Sequence, residues 1–322
     1  MSVNRRQFLT SSSLALVGSA LPLRDLFAQV AAQAAGQAPA APPVTAFTPL
    51  RGTVGFFTGQ GGTIGYHISK TGVVVVDAQM PATAEICLDG VKERAAGVAI
   101  DYLVNTHHHG DHTGGNPIFR PAVKKILAHA NVPDLQRAAA ARQIAARQAA
   151  GQPPAPVVEQ VVADTTFVNT WREEVGGEWM ALKYYGAAHT SGDAVVTFEQ
   201  ANVVHMGDLI FNRRHPVIDR PGGSSVVNWV KVLEGALKDH GKDTIYVFGH
   251  AAAQFPATGA AADLVYMRDY LTALLDYVRA EMKVGKTKDV IVKSTDVLKG
   301  FDTHGPLAER VLTPVYDELA AG

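Results

Sequence analysis

The sequence predicts an α/β fold in which two successive groups of strands are each flanked by helices. Three observations carry this. Short runs rich in valine, isoleucine and aromatic residues recur at 54–57, 63–68, 73–76 and 100–105, and again at 179–185, 194–198, 203–206 and 244–248, as buried strands do. Longer segments, 225–240 and 263–282 above all, place apolar residues at helical spacing. Of the 322 residues, 47% are hydrophobic and 18% charged, enough to build a well-buried globular body of one large domain or two small ones.

The elements follow in order. Asn4-Arg5-Arg6-Gln7-Phe8-Leu9-Thr10 resembles a twin-arginine export signal. A modest apolar stretch over 14–21 follows it, then small-residue sites suited to cleavage, Ala32-Gln33-Ala34 foremost. That stretch is shorter than the about 20 residues a bilayer requires. Residues 1–34 are therefore expected to be a signal peptide, 35–50 a Pro/Ala linker and 51–322 the folded domain. The expected location is periplasmic or otherwise exported, with no stable membrane insertion once the signal is removed. The single cysteine, Cys87, cannot close an internal bridge and reads as a small buried residue.

Between 53 and 77, Gly turns alternate with β runs, which suggests an antiparallel meander. Thr58-Gly59-Gln60-Gly61-Gly62 joins two of these runs. No Gly-Lys-Ser/Thr follows it, so it reads as a hairpin rather than a phosphate loop. Pro81 near the start and Gly97 past the end bracket a helix over 81–96. A further apolar run occupies 123–128. The Ala-, Gln- and Arg-rich stretch 134–150 has high helix propensity, but Leu135 and Ile144 are its only large apolar residues. It is expected to be an inserted, solvated helix, with cover over a site or pairing with another subunit as the other options. Val226, Trp229, Val232, Leu233, Ala236 and Leu237 define one core-facing helix capped by Ser224 or Ser225. Leu264, Met267, Leu271, Leu274, Leu275 and Val278 define another.

The functional signal lies on the loop leaving the 100–105 strand: Asn105-Thr106-His107-His108-His109-Gly110-Asp111-His112. Neither a core nor a surface requires imidazoles at this density, whereas zinc and its first-row neighbours bind imidazole nitrogen and carboxylate oxygen. Net charge is −1 with no basic stripe, which argues against nucleic acid as a partner, since phosphate binding needs clustered positive charge.

The pattern His-x-His-x-Asp-His resembles the signature of the metallo-β-lactamase superfamily. Later segments agree in order and spacing: Ala187-Ala188-His189-Thr190-Ser191-Gly192-Asp193, Val203-Val204-His205-Met206-Gly207-Asp208 and Tyr246-Val247-Phe248-Gly249-His250. Upstream, Val73-Val74-Val75-Val76-Asp77 resembles the strand ending in a structural Asp. The last motif departs from the frequent Pro-Gly-His-Gly and reads Phe248-Gly249-His250-Ala251. The resemblance implies an αβ/βα four-layer sandwich and two divalent ions, zinc foremost. It implies that His107, His109 and His189 hold one ion and that Asp111, His112 and His250 hold the other, with Asp208 and a hydroxide bridging them. Asp111 is also a candidate proton carrier. Asp208 stands near the position where the true zinc β-lactamases carry Cys or Ser, so the set looks more like the glyoxalase II, lactonase and phosphodiesterase branch, although the His107, His109, Asp111 and His112 portion alone also fits the third subclass of β-lactamases.

The activity implied is hydrolysis of a small-molecule ester, thioester, lactone or β-lactam. The rivals are an iron-dependent oxygenase of sulfur compounds on the same fold, whose members lose some of the second ion's ligands, and a non-catalytic metal-binding protein. Among the remaining histidines, His108 is expected to pack or hydrogen-bond away from the site, and His67, His129, His205, His240 and His304 to be structural. Asn212, Arg213, Arg214 and His215, on the loop after Asp208, are candidates for substrate contact.

Overall fold

The computed structural model describes residues 44–153 and 160–322. The signal-peptide reading and most of the linker lie outside them. The folded body reaches into the expected linker. Ala46–Arg51 is a strand, β1, antiparallel to β2 (Val54–Thr58), so the chain is ordered into the sheet before residue 51.

The first sheet continues through β3 (Ile64–Ile68), β4 (Val73–Val76), β5 (Ile100–Asn105), β6 (Val123–His129) and β7 (Thr165–Phe167) in sequential order. Pairing is antiparallel up to β4 and parallel beyond it. The second sheet contains β8 (Thr170–Val175), β9 (Glu178–Lys183), β10 (Val195–Phe198), β11 (Val203–His205), β13 (Ile245–Val247) and β15 (Thr258–Gly259). Its order is β15-β13-β11-β10-β9-β8. A short parallel pair, β12 (Phe211–Asn212) with β14 (His250–Ala251), joins the segment after Asp208 to His250. β1, β7 and β8 had no clear signal in the sequence.

Side-chain alternation explains the layering. All four valines of β4 are fully buried, but Val73 and Val75 join the core beneath α1 (Pro81–Ala95), while Val74 and Val76 join the core between the sheets. Leu103 and Val104, Ile126 and Leu127, and Tyr246 and Val247 divide in the same way. Successive strand residues point to opposite faces, so a strand buried on both sides reads as an unbroken apolar run. The second sheet packs its outer face on α3 (Val226–Asp239), α4 (Ala261–Lys283) and α5 (Glu309–Ala321), through Trp229, Leu233, Leu271, Leu274 and Val311. The result is helix, sheet, sheet, helix, as the resemblance implied. Burying one such side chain contributes roughly 1.5–3 kcal/mol.

Helix ends follow the expected chemistry. The Ser225 side chain accepts the Asn228 N–H at 3.1 Å and caps α3. Pro81 opens α1, and Ala96 closes it in the left-handed conformation (φ 50°). The Ala-rich helix α2 runs Val132–Ala149 and buries only Val132 and Gln136. Cys87 is buried in α1, and burial pushes its thiol far up. No helix among the described residues is long and apolar enough to cross a membrane.

Candidate metal centre

The loops that end β5, β9, β11 and β13 meet at one edge of the sandwich and are joined by backbone hydrogen bonds. Ala194 N–H donates to Thr106 O (2.7 Å), Gly249 N–H to Gly207 O (2.8 Å) and Gly62 N–H to Asp111 O (3.0 Å). Two glycines are sterically required. A Cβ on Gly249 would lie 2.0 Å from Asp208 Oδ1, and one on Gly62 would lie 2.1 Å from the His112 ring. The Gly-rich hairpin therefore presses on a candidate ligand and is more than a flexible connection.

All seven residues the resemblance implied as ligands come together here. His109 Nδ1 lies 3.1 Å from His107 Nε2 and 2.9 Å from His189 Nε2. His112 Nε2 lies 3.4 Å from His250 Nε2, and Asp111 Oδ2 lies 3.1 Å from His250 Nε2. Asp208 stands between the two trios: Oδ2 is 3.9 Å from His107, 3.5 Å from His189 and 3.3 Å from His250, while Oδ1 is 3.0 Å from His112. The groups His107/His109/His189/Asp208 and Asp111/His112/His250 each come close enough to hold one ion.

The opposite ring nitrogens show what these atoms are arranged for. His189 Nδ1–H donates to the Val217 carbonyl (3.0 Å), His109 Nε2–H to Asp219 Oδ2 (2.9 Å) and His112 Nδ1–H to Asp77 Oδ2 (2.7 Å). His107 Nδ1 faces Thr106 Oγ1 at 3.1 Å. A carbonyl or a carboxylate only accepts, and the Thr106 hydroxyl already donates to Asp77, so each of these bonds fixes which ring nitrogen faces outward and turns the other inward. Ring nitrogens clustered around a buried carboxylate fit a cation, and metal sites hold their histidines by such outer hydrogen bonds, present here on His107, His109, His112 and His189. Asp208 Oδ1, buried with His112 Nε2 at 3.0 Å, fits the same occupant.

The electrostatics agree. Burial holds His107 well below the usual histidine range, and burial carries His189 down to about 3. Burial opposes charge on His112 and His250 as well, but Asp208 outweighs it with help from Asp77 and Asp111. His112 rises well above its usual value and His250 to about 9. Burial would raise Asp208, yet His112 and His250 hold it far below the carboxylate range. Asp111 falls to about 2 because His250 and His112 overcome its burial. The centre thus draws positive charge to the point where the ligand atoms converge.

Two supporting carboxylates differ in how visible they were. Asp77, expected to be structural, adopts φ 69° and accepts Thr106 N–H and Thr106 Oγ1–H, both at 2.8 Å, along with His112. Asp219 was not identified from sequence. Besides His109 it accepts Gly222 N–H at 3.0 Å, and His108 Nε2 lies 3.2 Å from its Oδ2. The only signal available was an Asp heading the Pro-Gly turn Asp219-Arg220-Pro221-Gly222.

The loop after Asp208 departs from expectation at three of its four candidates. His215 turns inward, its Nδ1 accepting from Tyr270 O–H (2.6 Å) and its Nε2–H donating to Pro306 O. Asn212 donates to Pro256 O, and Arg213 stacks on Tyr266 and pairs with Asp263. Arg214 alone reaches the site mouth, where it lines a cavity of about 290 Å³ with His250, Gly62 and Phe255. His67, His129, His205, His240 and His304 stand apart from the converging ligand atoms.

Two packed sheets between helices, with His/Asp loops meeting at one edge, define a hydrolase-like fold able to hold metal. The chain belongs to the metallo-beta-lactamase superfamily, whose model matches residues 59–270. The alpha subunit of 2,4-dinitroanisole O-demethylase from Nocardioides sp. (strain JS1661) is 28% identical over 169 residues. The match covers 51% of this chain and 45% of that protein, so it spans less than half of that relative. Metallo-beta-lactamase IND-1 of Chryseobacterium indologenes is 22% identical over 213 residues, 65% of this chain and 80% of that one. Among solved structures, the sec-alkylsulfatase Pisa1 from Pseudomonas sp. superposes with TM-score 0.65 at 16% identity, covering 85% of this chain and 50% of that one. A metallo-beta-lactamase from Pontibacter korlensis does so with TM-score 0.55 at 17% identity, covering 71% and 99%.

Proposed function

We propose that the protein is a binuclear metal-dependent hydrolase of a small-molecule ester, thioester, lactone or β-lactam. The observation that carries this reading is Asp208, which lies between two complete candidate trios: its Oδ2 is 3.5 Å from His189 and 3.3 Å from His250, and its Oδ1 is 3.0 Å from His112. Divalent ions held there, with zinc the first candidate, would lower the pKa of a bound water from about 15.7 to about 7 and polarise a carbonyl or related centre. The protein's own groups do the rest. Asp77, Asp219 and the Val217 carbonyl orient the imidazoles. Asp111, ionised and about a third exposed at the mouth, takes up a proton on its carboxylate and returns it to the leaving group. Arg214 offers its guanidinium to a polar or anionic part of the substrate beside His250.

The complete ligand set weighs against the iron-dependent oxygenase, and the open cavity beside it weighs against a purely binding role. Elemental analysis and a panel of aryl esters, thioesters, lactones and a chromogenic β-lactam test the proposal. About two transition metals per chain and turnover of at least one panel member are expected; full activity with a single metal per chain would refute the bridged pair. We also propose export by the twin-arginine route, which carries folded proteins and so suits one that takes its metal first. Replacing Arg5 and Arg6 with Lys should retain the protein in the cytoplasm, and unchanged export would make the motif incidental.

A further inference from the structure

The Ala-rich helix α2 does not simply lie in solvent. It forms one wall of a cavity of about 640 Å³ whose other wall is the ligand loop, including the candidate ligand Asp111 and the neighbouring His108. Past its first turn the helix presents Ala139 and Ala140 to this space, and Met80, Pro117 and Val161 supply apolar surface. Alanine at both positions leaves a gap that a larger side chain would close. The size is that of a ligand pocket, which runs about 300–1,000 Å³. Among the described lining residues Asp111 is the one carboxylate and none is Lys or Arg. Polar character comes from Gln136, Gln143 and Gln160, which can hydrogen-bond a neutral carbonyl or amide but cannot neutralise a charge.

We propose that this cavity is the acyl-arm subsite of the hydrolase and that it selects substrates with an uncharged aliphatic acyl chain. The proposal rests on the hydrolytic reading above. It places the reacting carbonyl at the Asp111 end, with the arm running beneath α2 and away from Arg214. Each methylene buried contributes about 0.8 kcal/mol, roughly three- to fourfold in kcat/KM.

The test compares 4-nitrophenyl acetate with 4-nitrophenyl octanoate on the metal-loaded wild type, on Ala140→Phe and on Gln143→Trp. Metal content and thermal melting are recorded for each. The wild type should favour octanoate by at least about tenfold. Both variants should lose most of that preference while keeping acetate turnover and metal content. A preference unchanged in both folded variants, or absent from the wild type, overturns the subsite. If neither ester is turned over, the thioester, lactone and β-lactam arms of the panel decide the hydrolase reading separately, and calorimetric binding of octanamide against acetamide decides the cavity. Octanamide binding that Ala140→Phe abolishes supports it, and no binding to the wild type overturns it.

Discussion

Asp219 ligates nothing in the proposed centre, so removing it tests the tautomer argument on its own. In Asp219→Ala the His109 Nε2–H loses its acceptor at 2.9 Å. The ring is then free to place its proton on Nδ1, which points at His107 Nε2 and His189 Nε2, 3.1 and 2.9 Å away. The turn weakens as well. Asp219 Oδ1 accepts Gly222 N–H, and Gly222 O accepts Ser191 N–H at 2.9 Å, two residues from His189. Two of the three nitrogens in that trio therefore depend on one side chain. Outer partners of metal ligands contribute about 10–100-fold in affinity or activity, and this double dependence argues for the upper end, about 100-fold or about 2.7 kcal/mol. Asp219→Asn, which keeps an acceptor but loses the charge, should cost about tenfold. The assay is competition for zinc against a chromogenic chelator, with circular dichroism to confirm the fold. An Asp219→Ala protein that binds both metals within about twofold of wild type would refute the account, since no other carboxylate among the described residues pairs with His109 Nε2.

Asp208→Ala should leave at most one metal per chain and lower ester or lactone turnover by at least about 10–100-fold. Asp208→Ser that retained two metals and full β-lactam turnover would instead favour a β-lactamase. Trp229 is fully buried behind His189 and donates its indole N–H to Leu209 O at 3.0 Å. Trp229→Ala should cost about 3–5 kcal/mol in urea unfolding, and a loss under about 1 kcal/mol would contradict its place in the core. Burial, reinforced by His215 and Arg213, holds His304 down to about 3, against about 6.5 in an unfolded chain. The unfolded chain takes up that proton first. The contribution is therefore complete above about pH 6.5 and is lost as pH falls toward 3. Urea midpoints at pH 7 and pH 4.5 should converge more in His304→Phe, which can keep the stack on Tyr270, than in the wild type; equal shifts would exclude His304 as the cause.

The clustering of the candidate ligands was legible in the sequence because metal chemistry restricts such residues to a few types at fixed places in the strand–loop order. The plainest strands were those most deeply buried. Val73–Val76 and Ile100–Asn105 could hardly be anything else, whereas Thr170–Val175 carries Arg172, Glu173 and Glu174 on an exposed edge and shows no apolar alternation. His215 was misjudged because its partners, Tyr270 and the Pro306 carbonyl, lie 55 and 91 residues away. Nothing local distinguishes a histidine held by such partners from one facing a site. Asp219 was hidden for the same reason, its 110-residue reach to His109 leaving no trace in local spacing. The export signal falls outside the described residues and stands on sequence alone.

The candidate ligands are divided between the two halves of the chain. His107, His109, Asp111 and His112 follow β5 of the first sheet, while His189, Asp208 and His250 follow β9, β11 and β13 of the second. Neither half carries a complete trio. A chain cut between α2 and β7 would give two fragments, each with an incomplete set of donors, whose reassembly would depend on the concentration of free divalent ion as well as on the apolar surface between the sheets. Inserting a recognition module into that stretch would make docking of the halves, read out as bound metal, responsive to whatever the module binds.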